Sequence, residues 1–222
     1  LRTSAVGVRA RYPGIIRFLF ATNGQLTVKK TQSDFDVFVV GGLLGNFATG
    51  LLRVVKQVGS IPGRVFMPFE QVLYTELTRA VAVRDYDGFA NVLRRFTGIV
   101  AVGSLAVWIV CAAAADPIVR ILAGNDFIAA VPAFRWYLLA MVLLVIGAPV
   151  QRAVIALGRA GAIFMFDFAT LLVLIGVVVA AAEVYGLVGV CVAIVAHKCA
   201  QLAWSAWYVA RELGRARRAS VA

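Results

Sequence analysis

The stretch Leu51–Leu77, LLRVVKQVGSIPGRVFMPFEQVLYTEL, has the length of a membrane-spanning helix but carries Arg53, Lys56, Arg64, Glu70 and the prolines Pro62 and Pro68. At about 100° per residue, Arg53, Lys56, Gln57, Ser60, Arg64 and Gln71 fall within an arc of roughly 100°. Val54, Val55, Val58, Ile61, Val65, Phe69 and Val72 take the far side. A charge at the centre of a bilayer costs at least about 2.5 kcal/mol on insertion scales, so the stripe is expected to face water or the interior of a bundle. Each proline removes a backbone donor and favours a bend, for which Gly59 and Gly63 leave room.

Composition defines the solvent around this stretch. The chain is 62% hydrophobic and only 15% charged, with mean hydropathy +0.89, well above the balance of a soluble domain. Windows of roughly 20 apolar residues predict six transmembrane helices, near 18–45, 50–78, 96–122, 128–157, 161–183 and 186–210. The third and fifth are the clearest, and the first two are the most polar.

Basic residues support that count. With the tail 211–222 (Arg211, Arg215, Arg217, Arg218) in the cytoplasm, six crossings place three further basic segments on the same side. These are the segment 1–17 with Arg2, Arg9, Arg11 and Arg17, the loop with Arg79, Arg84, Arg94 and Arg95, and the turn at Arg159. The opposite side receives GNFATG, a loop with Asp116, Arg120 and Asp126, and the turn Glu183–Gly186. The expected fold is therefore an all-α integral membrane protein, a six-helix bundle over 18–210 with both ends cytoplasmic.

Other function classes are poorly served. The net charge of +11 is divided among short loops and helix interiors, which fits topology and anionic lipid headgroups and not a nucleic-acid surface. Cys111, Cys191 and Cys199 lack metal or disulfide spacing and read as packing residues. No phosphate-cradling G-x-x-x-x-G-K-[ST], G-x-S-x-G or H-E-x-x-H motif occurs, so neither an enzyme nor a cofactor is expected. His197, beside Lys198, reads as a helix-packing group, with a proton relay as the alternative. Leu1 in place of an initiator methionine suggests the C-terminal part of a longer protein.

The first span repeats the polar theme. Asn23, Thr27, Lys30 and Asp34 share one face, with Lys30 and Asp34 spaced for an i,i+4 pair. Lys29, Gln32 and Asp36 lie elsewhere on that helix. The face either lines a cavity with the second span or makes polar interhelical contacts. Arg152 and Asp167, near the cytoplasmic ends of the fourth and fifth spans, are placed for an ion pair between neighbouring helices.

TNGQLTVKKTQSDFDVFVVGGLLG, with Asp36 ahead of Gly41, followed by GLLRVVKQVGSIPGRVFMPFEQVLYTEL, resembles the seventh and eighth helices of bacterial polysaccharide-unit flippases. These belong to the multidrug and oligosaccharidyl-lipid exporter superfamily. DYDGFANVLRRF, PIVRILAGNDFIAAVPAF and VYGLVGVCVAIVAH continue the resemblance in order along nearly the whole chain. It implies the second of two six-helix bundles and alternating access around a cationic cavity. The implied cargo is an undecaprenyl-diphosphate-linked oligosaccharide for O-antigen, capsule or exopolysaccharide assembly. Membrane lipids, and a polysaccharide polymerase or export machinery, are the implied partners.

Fixed cations can replace the water that a diphosphate loses inside a membrane. Arg53, Lys56 and Arg64, with Lys30 opposite, are thus the expected headgroup residues. Asn23, Gln25, Gln57 and Ser60 are candidate sugar contacts, and Asp34 and Asp36 candidate ion-coupling acids. A drug-cation antiporter would want an acidic, aromatic-lined cavity instead. A non-transporting scaffold, or a half-transporter needing a partner, is the remaining alternative.

Overall fold

The computed structural model describes residues 15–221. Within that range, side-chain surroundings are described except at 15–18, 21, 22, 25, 29, 33, 58, 59, 61–68, 122, 123, 126, 217 and 219–221. The expectations for Arg2, Arg9, Arg11, Arg17, Gln25, Arg64 and Arg217 lie outside the described residues. So do the surroundings of Lys29, Pro62 and Pro68.

Every regular element among the described residues is helical. In order these are α1 (Ile15–Leu43), α2 (Gly45–Gly59), α3 (Ile61–Ala82), α4 (Tyr86–Ala113) and α5 (Ala115–Ala123). A 3-10 turn (Asn125–Ala130), α6 (Val131–Ala156) and α7 (Ala160–Val221) follow. Three helical segments are long and apolar enough to cross a membrane: Tyr86–Ala113, Phe127–Ala156 and Ala160–Ala216.

The last of these is a hairpin. Gly186 adopts φ 58, ψ −143, a conformation open essentially only to glycine, and it breaks α7 into limbs 160–185 and 187–221. Gln201 Nε2 donates to Asp167 Oδ1 at 3.1 Å, although a straight helix would hold residues that far apart in sequence about 51 Å from each other. Phe166 and Trp204 stack with centroids 4.1 Å apart, further along the same antiparallel contact. A Cβ on Gly189 would run into the Ala181 carbonyl oxygen, so the limbs close tightly below the turn. The expected turn at Glu183–Gly186 is present.

Two other expected spans need correction. The second is divided at Ser60, because Pro62 enters the first turn of α3 and lacks the donor needed to continue α2. The third starts earlier than 96, since DYDGFANVLRRF opens α4 and is not a loop. Asp85 caps the helix by accepting from Gly88 N at 2.8 Å. It also ends earlier than 122, because Pro117, in the first turn of α5, would clash with the backbone of a continued α4.

Two buried clusters define the ends of the bundle. Leu77, Phe89, Leu93, Val154, Val209 and Leu213 pack together, gathering the Val83–Asp85 turn, the Leu157–Arg159 turn and the start of the tail at one pole. There Arg159 reaches Glu212 at 3.4 Å, and Glu212 also holds Arg215 at 3.1 Å. Val40, Leu52, Val119, Val131, Ala182 and Val190 form the opposite pole, where Phe47 stacks on Phe127 at 4.6 Å. The described basic segments thus share one pole, as the charge pattern anticipates. Between the poles α4 exposes Ile99, Val102 and Val110, while the first limb of α7 exposes Met165, Leu172 and Val173.

Gly186→Ala forces an L residue into the hairpin conformation and should destabilise the bundle by about 1–3 kcal/mol. Gly176→Ala, where an added Cβ meets nothing within 4 Å, should be neutral or slightly stabilising. Thermal unfolding midpoints of the two variants in detergent check the difference.

Candidate functional site

A cavity of about 630 Å³ opens between α1, α2, α6 and both limbs of α7, with Glu70 of α3 also lining it. Its α2 wall follows from local sequence. Leu51, Leu52 and Val55 are buried, whereas Arg53, Lys56, Gln57 and Ser60 line the cavity. The stripe read from the sequence is therefore gathered on one wall as far as Ser60. Ser60 Oγ donates to Gln57 O at 2.8 Å, which leaves its hydroxyl as an acceptor toward the cavity.

The α1 wall brings an acid that the sequence did not place against the stripe. Lys56 Nζ donates to Asp36 Oδ1 at 2.6 Å, and the same oxygen accepts from Val37 N at 2.8 Å. Asp36 is only 5% exposed. The short Leu44–Gly45 connection folds α2 back on α1, which brings positions twenty apart into contact. Gly45 supplies the positive φ, 83°, that the turn requires. Arg53, three residues before Lys56 on the same face, is exposed and has no acidic partner among the described residues.

Behind these groups a hydrogen-bonded cluster ties α1 to both limbs of α7. Gln32 Nε2 donates to Asp167 O at 3.0 Å, and Gln201 Nε2 donates to both Gln32 Oε1 (3.3 Å) and Asp167 Oδ1 (3.1 Å). Lys198 Nζ donates to Gln201 Oε1 at 3.0 Å. Gln32, Asp167 and Gln201 are all buried, so each bond replaces water that these groups would otherwise require. Gly24 permits the approach, since a Cβ there would lie 2.7 Å from the Phe164 ring. His197, also buried, lines the cavity, and its Nε2 has no hydrogen-bond partner among the described residues.

Several expected site residues lie elsewhere. Lys30 is exposed in a separate, shallower hollow with Leu26, Thr27, Thr31 and Phe38, and does not stand opposite the stripe. It makes no ion pair with Asp34 among the described residues, although Asp34 borders both concavities. Asn23 is exposed and donates to Leu19 O at 2.9 Å, away from the main cavity. Arg152 pairs with Glu70 at 3.3 Å and not with Asp167, because the fold turns α3 toward α6 and gives Asp167 to Gln201. Cys191 is buried but Cys199 is exposed, so the latter is no core residue.

These placements temper the cavity's charge. The lining cations Arg53, Lys56 and Lys198 face Asp34, Asp36 and Glu70, and Glu70 is in turn held by Arg152. With Glu70 thus offset, positive charge is left in excess and is most accessible at Arg53. The sequence could expose the cations because they lie on one helix. The acids come from two other elements and needed the fold.

Comparison with known protein families, curated proteins and solved structures gives no match.

Removing one half of the Asp36–Lys56 pair should cost more than removing both. Lys56→Met strands a buried carboxylate and should lose on the order of 3 kcal/mol, whereas Asp36→Leu combined with Lys56→Met should recover most of it. Thermal denaturation of the two variants in detergent tests the order.

Proposed function

We propose that this chain forms the second six-helix bundle of a flippase that exports undecaprenyl-diphosphate-linked oligosaccharide units for polysaccharide assembly. The observation that carries the reading is one polar wall of a cavity within an apolar helical bundle, where Arg53 and Lys56 stand one helical turn apart. Amide and hydroxyl groups from Gln57 and Ser60 lie beside them. The cavity volume is in the range typical of small-ligand sites. The resemblance of TNGQLTVKKTQSDFDVFVVGGLLG and the segments after it to flippase helices supports the choice of cargo.

In this reading α1, the bent α2–α3 pair, α4, α6 and the two limbs of α7 are the six crossings. The pole with Arg79, Arg84, Arg94, Arg95, Arg159 and Arg211 faces the cytoplasm of a bacterial inner membrane, in keeping with the positive-inside rule. The exposed apolar belt on α4 and α7 meets lipid. Arg53 grips diphosphate oxygens through two N–H groups, Lys56 adds a point charge, and Gln57 and Ser60 meet the first sugar. Arg64 extends the same stripe along the sequence. Lys30 and Asn23 share an α1 face that would meet the substrate outside this cavity or the other bundle, and Gln25 stays a candidate sugar contact from the sequence. The isoprenoid chain stays in lipid.

Arg53→Gln in the full-length protein should lower O-antigen or exopolysaccharide export at least about tenfold, the loss of one charge-assisted contact. Arg53→Lys should retain part of it, and Asn23→Ala should have little effect. Surface-polysaccharide yield at matched membrane expression is the measurement. Normal export from Arg53→Gln would remove the basis for the proposal.

A further inference from the structure

The exposed apolar side of α4 ends in charge. Ile99, Val102 and Ile109 follow Arg95 at i+4, i+7 and i+14, so all four share one exposed face of the helix. Arg94 stands at the edge of that face, and neither arginine pairs with an acid among the described residues. We propose that Arg94 and Arg95 hold the phosphodiester of an anionic phospholipid with the chemistry of phosphatidylglycerol, whose acyl chains lie along the apolar face of α4. The site is separate from the cavity and does not rest on the flippase reading.

Height along the helix places these arginines among headgroups. From Arg95 to the end of α4 at Ala113 the rise is about 27 Å, close to the roughly 30 Å of a hydrocarbon core. Arg95 therefore reaches one membrane surface when the far end of α4 reaches the other. A second feature marks the same level. Leu93 packs in one buried cluster with Val209, and two residues before Val209 the exposed Trp207 carries the Arg211 guanidinium 5.2 Å from its ring centroid. An exposed indole with a cation over its face suits the boundary between lipid and water.

The surface beside the two arginines is open. Gly98 lies one turn beyond them, is exposed, and would meet nothing within 4 Å if it carried a Cβ. Its missing side chain leaves a notch between the guanidinium groups and Val102, where the glycerol esters of a lipid can sit. Arginine grips phosphate oxygens through two parallel N–H groups. The acids of this helix end are about two turns away or more, and Asp85 is already engaged by Gly88 N. A zwitterionic headgroup brings an ammonium that two guanidinium groups repel, so the site selects a lipid of net negative charge.

The experiment titrates dioleoyl phosphatidylglycerol or dioleoyl phosphatidylethanolamine into the delipidated full-length protein in detergent and counts retained lipid by native mass spectrometry. Phosphatidylglycerol is expected to bind about tenfold more tightly, the difference that one charge-assisted contact makes. Arg94→Gln combined with Arg95→Gln should abolish the preference. Gly98→Leu keeps both charges, favours the helix and fills the notch, and should weaken phosphatidylglycerol binding several-fold. Both arginines are exposed, so the double variant should fold, and Gly98→Leu gives an independent reading if it does not. Arg84→Gln, at the same pole but about three helical turns from Arg95, should keep the preference. Equal retention of the two lipids overturns the inference. A loss in Arg84→Gln as large as in the double variant also overturns it, because the attraction would then belong to the net charge of the pole. Gly98→Leu binding phosphatidylglycerol as well as the unaltered protein overturns it too.

Discussion

The hydrogen bonds among Gln32, Asp167 and Gln201 hold the bundle in its observed arrangement. In an apolar medium a buried amide or carboxylate has no water to fall back on, so each must find a protein partner. One glutamine side chain on the second limb of α7 satisfies groups on α1 and on the first limb at once. That contact fixes the hairpin, sets α1 alongside it, and leaves Lys198 directed at Gln201 on the cavity side. The cavity exists because these helices are held together by polar groups near their middle and by two apolar clusters at the poles, and are not zipped by continuous apolar packing.

This division of labour explains what the sequence disclosed. Hydropathy and charge alternation located the hairpin turn at Gly186, the grouping of Arg79, Arg84, Arg159 and Arg211 at one pole, and the apolar character of α4, α6 and α7. These are properties of single segments or of loop order. Helix ends were less legible where a local device decided them. Asp85 caps α4 ahead of the apolar run, and Pro117 stops it before the run is exhausted. Ser60 divides the second span although it keeps a helical conformation (φ −80, ψ −13), so no marked backbone break announces the boundary.

The site divides in the same way. Arg53, Lys56, Gln57 and Ser60 could be grouped from sequence because helical phase alone puts them on one face. Asp36, Gln32, Asp167 and Gln201 could not be assigned partners, since those come from other helices and depend on how α1, α2 and α7 pack. Lys30 shows the converse error. It shares a helix with Asp36, but six residues correspond to about 240° of rotation, which carries it to another face. A polar residue in a polar helix was legible as polar, and its direction was not.

The bend at Ser60 and the Asp36–Lys56 pair act on the same wall. Ser60 ends the lined part of α2, and Glu70 of α3 lines the cavity while pairing with Arg152. Acids are thereby brought to Lys56 and to Arg152, and Arg53 is left as the most exposed cation of the cavity wall. Accessible positive charge is thus concentrated at Arg53, beside the closed Asp36–Lys56 pair.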